Sequence, residues 1–145
     1  MHALSSFARE YGPAAGRFLI TFLFLRSAFG KITGFSAVAG MMAKKGMPYA
    51  EVFLAGAIVL EIAGSLMILL GWHARLGALL LAIFLVPATL IFHNFWAVDP
   101  SQVREAVNQT NHFYKNVSIL GALIFIMGTG PGALSVRPER EAHAT

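Results

Sequence analysis

Four apolar runs, each close to the length needed to cross a bilayer, constrain this chain more than any other feature. They cover residues 14–31, 52–70, 76–92 and 117–127, the last being the shortest, with Asn116 and Thr129 at its margins. A helix rising about 1.5 Å per residue crosses the hydrocarbon core in about 17–25 residues. Composition agrees: 57% of residues are hydrophobic and 12% charged, with a mean hydropathy of +0.66. Soluble domains average about 45–50% apolar and about 25% charged residues. Eleven Lys+Arg and seven Asp+Glu cannot cover the surface of a soluble globule. Sheet edges in lipid would leave backbone groups unsatisfied, so the spans must be helical. The fold class that follows is an all-α integral membrane four-helix bundle. It forms a single domain over residues 1–135, with a polar C-terminal tail over 136–145.

The breaks between runs carry physical signals. Gly71-Trp72-His73-Ala74 is the whole link between the second and third runs, which makes these two an antiparallel hairpin. The first and third connections are longer and read as short interfacial helices over 36–45 and 99–113. In the first, Lys44 and Lys45 turn to water and Met41, Met42 and Met47 pack at the interface. In the second, Asp99 can cap, Pro100 suits the first turn and Gln102 sits three residues past the cap. Trp72, Trp96, Tyr49 and Tyr114 fall at span ends, where amphipathic rings favour the headgroup zone.

The chain has no cysteine, which excludes disulfides, thiolate chemistry and Cys-ligated metal from this chain alone. Its net charge is +4, but the basic residues are scattered and leave no stripe for nucleic acid. Lipid headgroups account for such basicity in a membrane protein. Orientation is poorly set by charge, because Arg9, Arg75, Arg137 and Arg140 on one side nearly balance Lys31, Lys44, Lys45, Arg104 and Lys115 on the other.

Two charges stand where lipid should be. Arg26 lies past the middle of the first run and Glu61 near the middle of the second. Facing lipid, each costs about 2.5–3.5 kcal/mol on insertion scales. The spans run antiparallel, so an Arg26–Glu61 pair is expected, either as a register lock or as part of a site. Ala57, Gly64 and Ser65, on the Glu61 side, would let a neighbouring backbone approach. Arg17 is expected to snorkel to the interface with no site role. A second polar group, His93, Asn94, His112, Lys115 and Asn116, gathers around the ends of the third and fourth runs. Two histidines permit a bis-His haem or metal, but no i,i+4 ligand spacing supports one; interfacial hydrogen bonding and pocket lining are the other readings. Pro87 is expected to kink the third span and re-aim His93.

The chain resembles the DoxX family of small four-span membrane proteins over about residues 16–135. The resemblance rests on Arg26 and Gly30-Lys31-Ile32-Thr33-Gly34-Phe35, then on Glu61, Gly64 and Leu66-Met67-Ile68-Leu69-Leu70-Gly71. His93, Lys115-Asn116 and Gly128-Thr129-Gly130-Pro131-Gly132-Ala133-Leu134-Ser135 complete it. Family members often carry an acidic residue after that serine, where this chain has Val136. The resemblance implies a multi-pass protein of the bacterial inner membrane with cytoplasmic termini. The family's name comes from an association with thiosulfate:quinone oxidation.

Together these readings suggest a quinone- or lipid-binding accessory subunit of a membrane redox system. It would belong to an oxidoreductase without necessarily being catalytic itself. Arg26, Glu61, His93, Lys115 and Asn116 would line the ligand site, with quinone as cofactor and no metal. The expected partners are lipids, a redox protein and further copies of the chain, with no nucleic acid. The alternative is a non-catalytic scaffold for a soluble enzyme or larger complex. A proton-coupled transporter using Glu61 is a third reading.

Overall fold

The computed structural model describes residues 2–136, so the polar tail beyond Val136 lies outside the described residues. Among them are five α-helices and no strand. α1 is His2–Thr33, α2 Phe35–Lys44, α3 Ala50–Leu70, α4 Ala74–Phe92 and α5 Val103–Thr129, with a 3₁₀ turn at Phe95–Ala97 before α5. α1 packs on α3, α3 on α4 and α4 on α5.

α1 shows how local spacing sets orientation. Its buried residues are Arg17, Thr21, Phe24 and Ala28, spaced four, three and four apart, which traces one face of a helix. The opposite face exposes Phe18, Leu19, Phe22 and Phe29. α3 and α4 likewise expose Val52, Phe53, Val59, Leu79 and Ile83. Water would not tolerate this much contiguous apolar surface on a monomer, whereas lipid solvates it.

By length and composition, α3 and the stretch Ala74–Ala97 can each cross a membrane. α1 and α2, bent by 92° about Gly34, together make a third candidate. The first half of α5 is too polar to qualify in the same way. The expected separate interfacial helix over 99–113 is not formed. Residues 103–113 are instead the first turns of α5, which runs unbroken to Thr129 because no proline interrupts it. Asp99 does not cap a helix either: its Oδ1 accepts from the backbone N of Ser101 at 2.8 Å and its Oγ at 2.6 Å, closing a tight turn. The first connection does contain a helix, α2.

The α3–α4 hairpin turns on Gly71, whose φ of +67° lies in the left-handed region where a side chain is unfavourable. Further in, α3 and α4 cross glycine on glycine. A Cβ on Gly64 would lie 2.8 Å from the carbonyl oxygen of Gly77, and one on Gly77 equally close to that of Gly64. Small residues at such a crossing let backbones gain the dispersion contact that drives association in lipid. Next to it Phe24, Ile68, Ala78, Leu81, Leu85 and Leu123 form the main core, drawn from α1, α3, α4 and α5. A smaller cluster of Ala39, Met42, Ala50 and Leu54 docks α2 on α3.

Candidate functional site

A partly open cavity of about 310 Å³ lies among the helices against α2. Its walls are apolar, chiefly Leu23, Phe24, Leu54, Phe84, Leu85 and Phe92, with Val38, Met41 and Met42 of α2 alongside. Ser27, Lys31, Glu61, His93, Lys115 and Asn116 supply its polar lining. Leu23 also faces outward, 42% exposed, so the cavity reaches the lipid side of α1.

Glu61 is completely buried. Lys31 Nζ donates to its Oε1 at 3.1 Å and lies 3.0 Å from Oε2. Oε2 has no well-directed donor of its own. The same ammonium reaches Ser27 Oγ at 2.5 Å and sits 5.1 Å from the centre of the Phe84 ring. One cation thus binds a carboxylate, a hydroxyl and an aromatic face, and its side chain remains 20% exposed.

The expected Arg26–Glu61 pair is therefore replaced by Lys31–Glu61. The reason lies in helix phase. Arg26 is two positions from both Phe24 and Ala28, which are buried, and so points to the opposite face, where it is exposed. Lys31 falls three residues after Ala28 and continues the buried stripe.

Arg17 also departs from expectation. Rather than snorkelling, it is only 4% exposed and grips the glycine-rich tail. Its Nη1 donates to the carbonyls of Pro131 and Ala133, and its Nη2 donates to that of Leu134 at 2.7 Å. The tail then runs beside the α3–α4 turn, where the Val136 backbone N donates to the Leu70 carbonyl at 2.9 Å.

The other polar candidates form a chain between α4 and α5. Asn116 Nδ2 donates to Thr89 Oγ1 at 3.0 Å. His93 Nδ1 meets Gln109 Oε1 at 2.8 Å, and Gln109 Nε2 donates to Glu105 Oε1 at 2.6 Å. Since an amide oxygen can only accept, His93 Nδ1 carries the proton in this arrangement. The His93 and His112 rings stack with centres 5.0 Å apart, tilted by 14°, which leaves no room for a haem between them. Lys115 Nζ lies 2.9 Å from His112 Nδ1. Burial, then the charges of Lys115 and His93, hold His112 below the usual histidine range. Of the five sequence candidates, Glu61, His93, Lys115 and Asn116 line one cavity and Arg26 does not.

The family model for DoxX matches residues 12–94, the part of the chain that carries Lys31, Glu61 and His93. The chain belongs to the DoxX family. Inner membrane protein YqjF of Escherichia coli is 35% identical over 127 residues, covering 88% of this DoxX chain and 90% of that protein. Inner membrane protein YphA of the same organism is 31% identical over 125 residues, covering 83% and 84%. A Surfeit locus protein 4 homolog of Schizosaccharomyces pombe is 28% identical over 138 residues, covering 93% of this chain but only 39% of that protein. No solved structure matches this DoxX protein. The cavity is thus built largely within the segment that the family shares, with Lys115 and Asn116 added from α5.

Proposed function

We propose that this DoxX protein spans the bacterial inner membrane four times and holds an amphiphile in the α2-side cavity. Among amphiphiles a quinone or quinol fits best, bound in an accessory subunit of a membrane redox system. The observation that carries the reading is the buried Glu61 Oε2, which has no well-directed donor in a cavity whose walls are mostly apolar. Ligand sites typically combine an apolar lining with a few placed polar groups, at about 300–1,000 Å³. At about 310 Å³, this one takes a ring-sized head, and the tail would leave past Leu23 into lipid. Lys31 and His93 are the residues to meet ring carbonyls, and Glu61 Oε2 is the acceptor for a ring hydroxyl.

The inner-membrane placement rests on the two bacterial relatives. The four-span reading takes α5 as the last span, with buried Leu123 turned inward and exposed Ile124 and Phe125 turned to lipid. The test is organic extraction of the full chain after purification in mild detergent. Wild type should carry quinone or quinol near one per chain, and Glu61→Gln, whose amide oxygen stays with Lys31 while an NH₂ donor replaces the Oε2 acceptor, should lower the quinol content by at least about tenfold. Wild type without bound quinone or quinol, or Glu61→Gln with unchanged quinol content, overturns the proposal.

A further inference from the structure

A second concavity, of about 440 Å³, lies between α1 and α5, toward the other end of the bundle from the Lys31–Glu61 pair. Arg17 and Lys31 are fourteen residues apart, about 21 Å along a helix. Gly12, Gly16 and Ile20 form the α1 wall, and Ala122, Phe125 and Ile126 the α5 wall. Nothing lies within 4 Å of where a Cβ on Gly12 or Gly16 would stand, so no part of the described chain fills the groove on that side. Part-way along its α1 wall, between Gly16 and Ile20, is Arg17, 4% exposed. Three backbone carbonyls accept from its two Nη groups, while its Nε is buried without a partner. Carbonyl oxygens solvate a guanidinium but carry no formal charge. Among the described residues no carboxylate pairs with it.

The depth of this site follows from its neighbours. The carbonyls that Arg17 holds belong to the segment tied to Leu70, at the base of the turn that carries the half-exposed Trp72. Tryptophan at a span end marks the headgroup zone. A buried cation at headgroup depth, with no carboxylate partner among the described residues and beside an apolar groove, has the chemistry of a lipid site. From this juxtaposition we infer that the α1/α5 groove binds an anionic phospholipid, with its phosphate at Arg17 beside Gly16 and an acyl chain running inward along Ile20, Ala122 and Phe125. This site is separate from the quinone cavity and stands or falls without it.

The full chain in mild detergent is melted with phosphatidylglycerol, with phosphatidylcholine of the same acyl chains, or with inorganic phosphate. Native mass spectrometry counts the lipid retained. Phosphatidylglycerol in large excess should raise the melting temperature by about 5 °C or more, phosphatidylcholine clearly less and inorganic phosphate not at all. Gly16→Leu fills the groove where the structure leaves open space. It should melt at or above the wild-type temperature without lipid, yet lose the phosphatidylglycerol shift and retain at least about tenfold less lipid. Arg17→Lys, which keeps the charge but loses the planar fork, should show a reduced shift. Equal shifts from the two lipids, a shift from inorganic phosphate alone, or an undiminished shift in Gly16→Leu overturns the inference. So does disulfide cross-linking between two Gly16→Cys chains in native membranes, which would place a second copy in the groove.

Discussion

Replacing Lys31 by Met should destabilise this protein more than any other single change at the cavity. Glu61 is 0% exposed and has one cation, Lys31, within 3.1 Å, so Lys31→Met strands a carboxylate in an apolar wall. Breaking a buried pair in this way costs about 3–5 kcal/mol. The reverse change is gentler. In Glu61→Gln the ammonium keeps Ser27 Oγ at 2.5 Å, the Phe84 face and its 20% exposure, and the amide oxygen can still accept from it. That leaves a cost of about 1–3 kcal/mol. Lys31→Met combined with Glu61→Gln removes both charges and should be milder than Lys31→Met alone. Arg26→Met, on the exposed face, should stay within about 0.5 kcal/mol of wild type. Equilibrium unfolding in mixed detergent micelles, followed by circular dichroism, measures all four. The reasoning is refuted if Arg26→Met costs as much as Lys31→Met, or if the two cavity substitutions add to within about 0.5 kcal/mol, the behaviour of residues that do not interact.

Gly64→Leu forces side-chain atoms into the Gly77 carbonyl and Leu81, both 2.8 Å from the new Cβ, and should lower stability by about 1–3 kcal/mol or more in the same unfolding assay. Arg17→Met leaves the carbonyls of Pro131, Ala133 and Leu134 without their donor, so limited proteolysis should cut near Gly130–Ser135 faster than in wild type; an unchanged rate would mean the tail is held by other contacts. His112 lies before the apolar part of α5 and titrates below its usual 6.5, so the unfolded chain takes up a proton first and stability should fall as pH drops through and below 6.5. His112→Phe should flatten that part of the melting-temperature profile. Reporters fused at the two ends should report the same side of the membrane; opposite sides would remove the four-span reading.

Much of the helical architecture is legible in the sequence because span-length apolar runs bounded by glycine and proline leave few alternatives. Two errors about α1 share one origin. Depth along the run suggested Arg26 as the partner of Glu61 and suggested that Arg17 would snorkel, but helix phase decides both cases. The stripe Arg17, Thr21, Phe24, Ala28, Lys31 keeps the three-and-four spacing of one face, and Arg26 falls outside it. Lysine at a run's end also reads as a boundary marker, which hid its reach back to Glu61. In the third connection the turn residues Asp99 and Pro100 were visible, yet the polar stretch after them concealed that α5 had already begun. The contacts of Arg17 could not be read locally, since its acceptors are backbone carbonyls more than 110 residues away and any residue type presents such a group.

Arg17 leaves the ribosome 114 residues before the carbonyl of Pro131 that it will hold. At about 5–20 residues per second, roughly 6–23 s of synthesis separate the two. Throughout that interval α1 bears an arginine that lacks its final acceptors. The clasp closes only when the last turns of α5 and the glycine-rich segment have arrived, so α1 and that segment become one structural unit late in folding. A product stopped short of residue 131 would leave the Arg17 guanidinium without these acceptors.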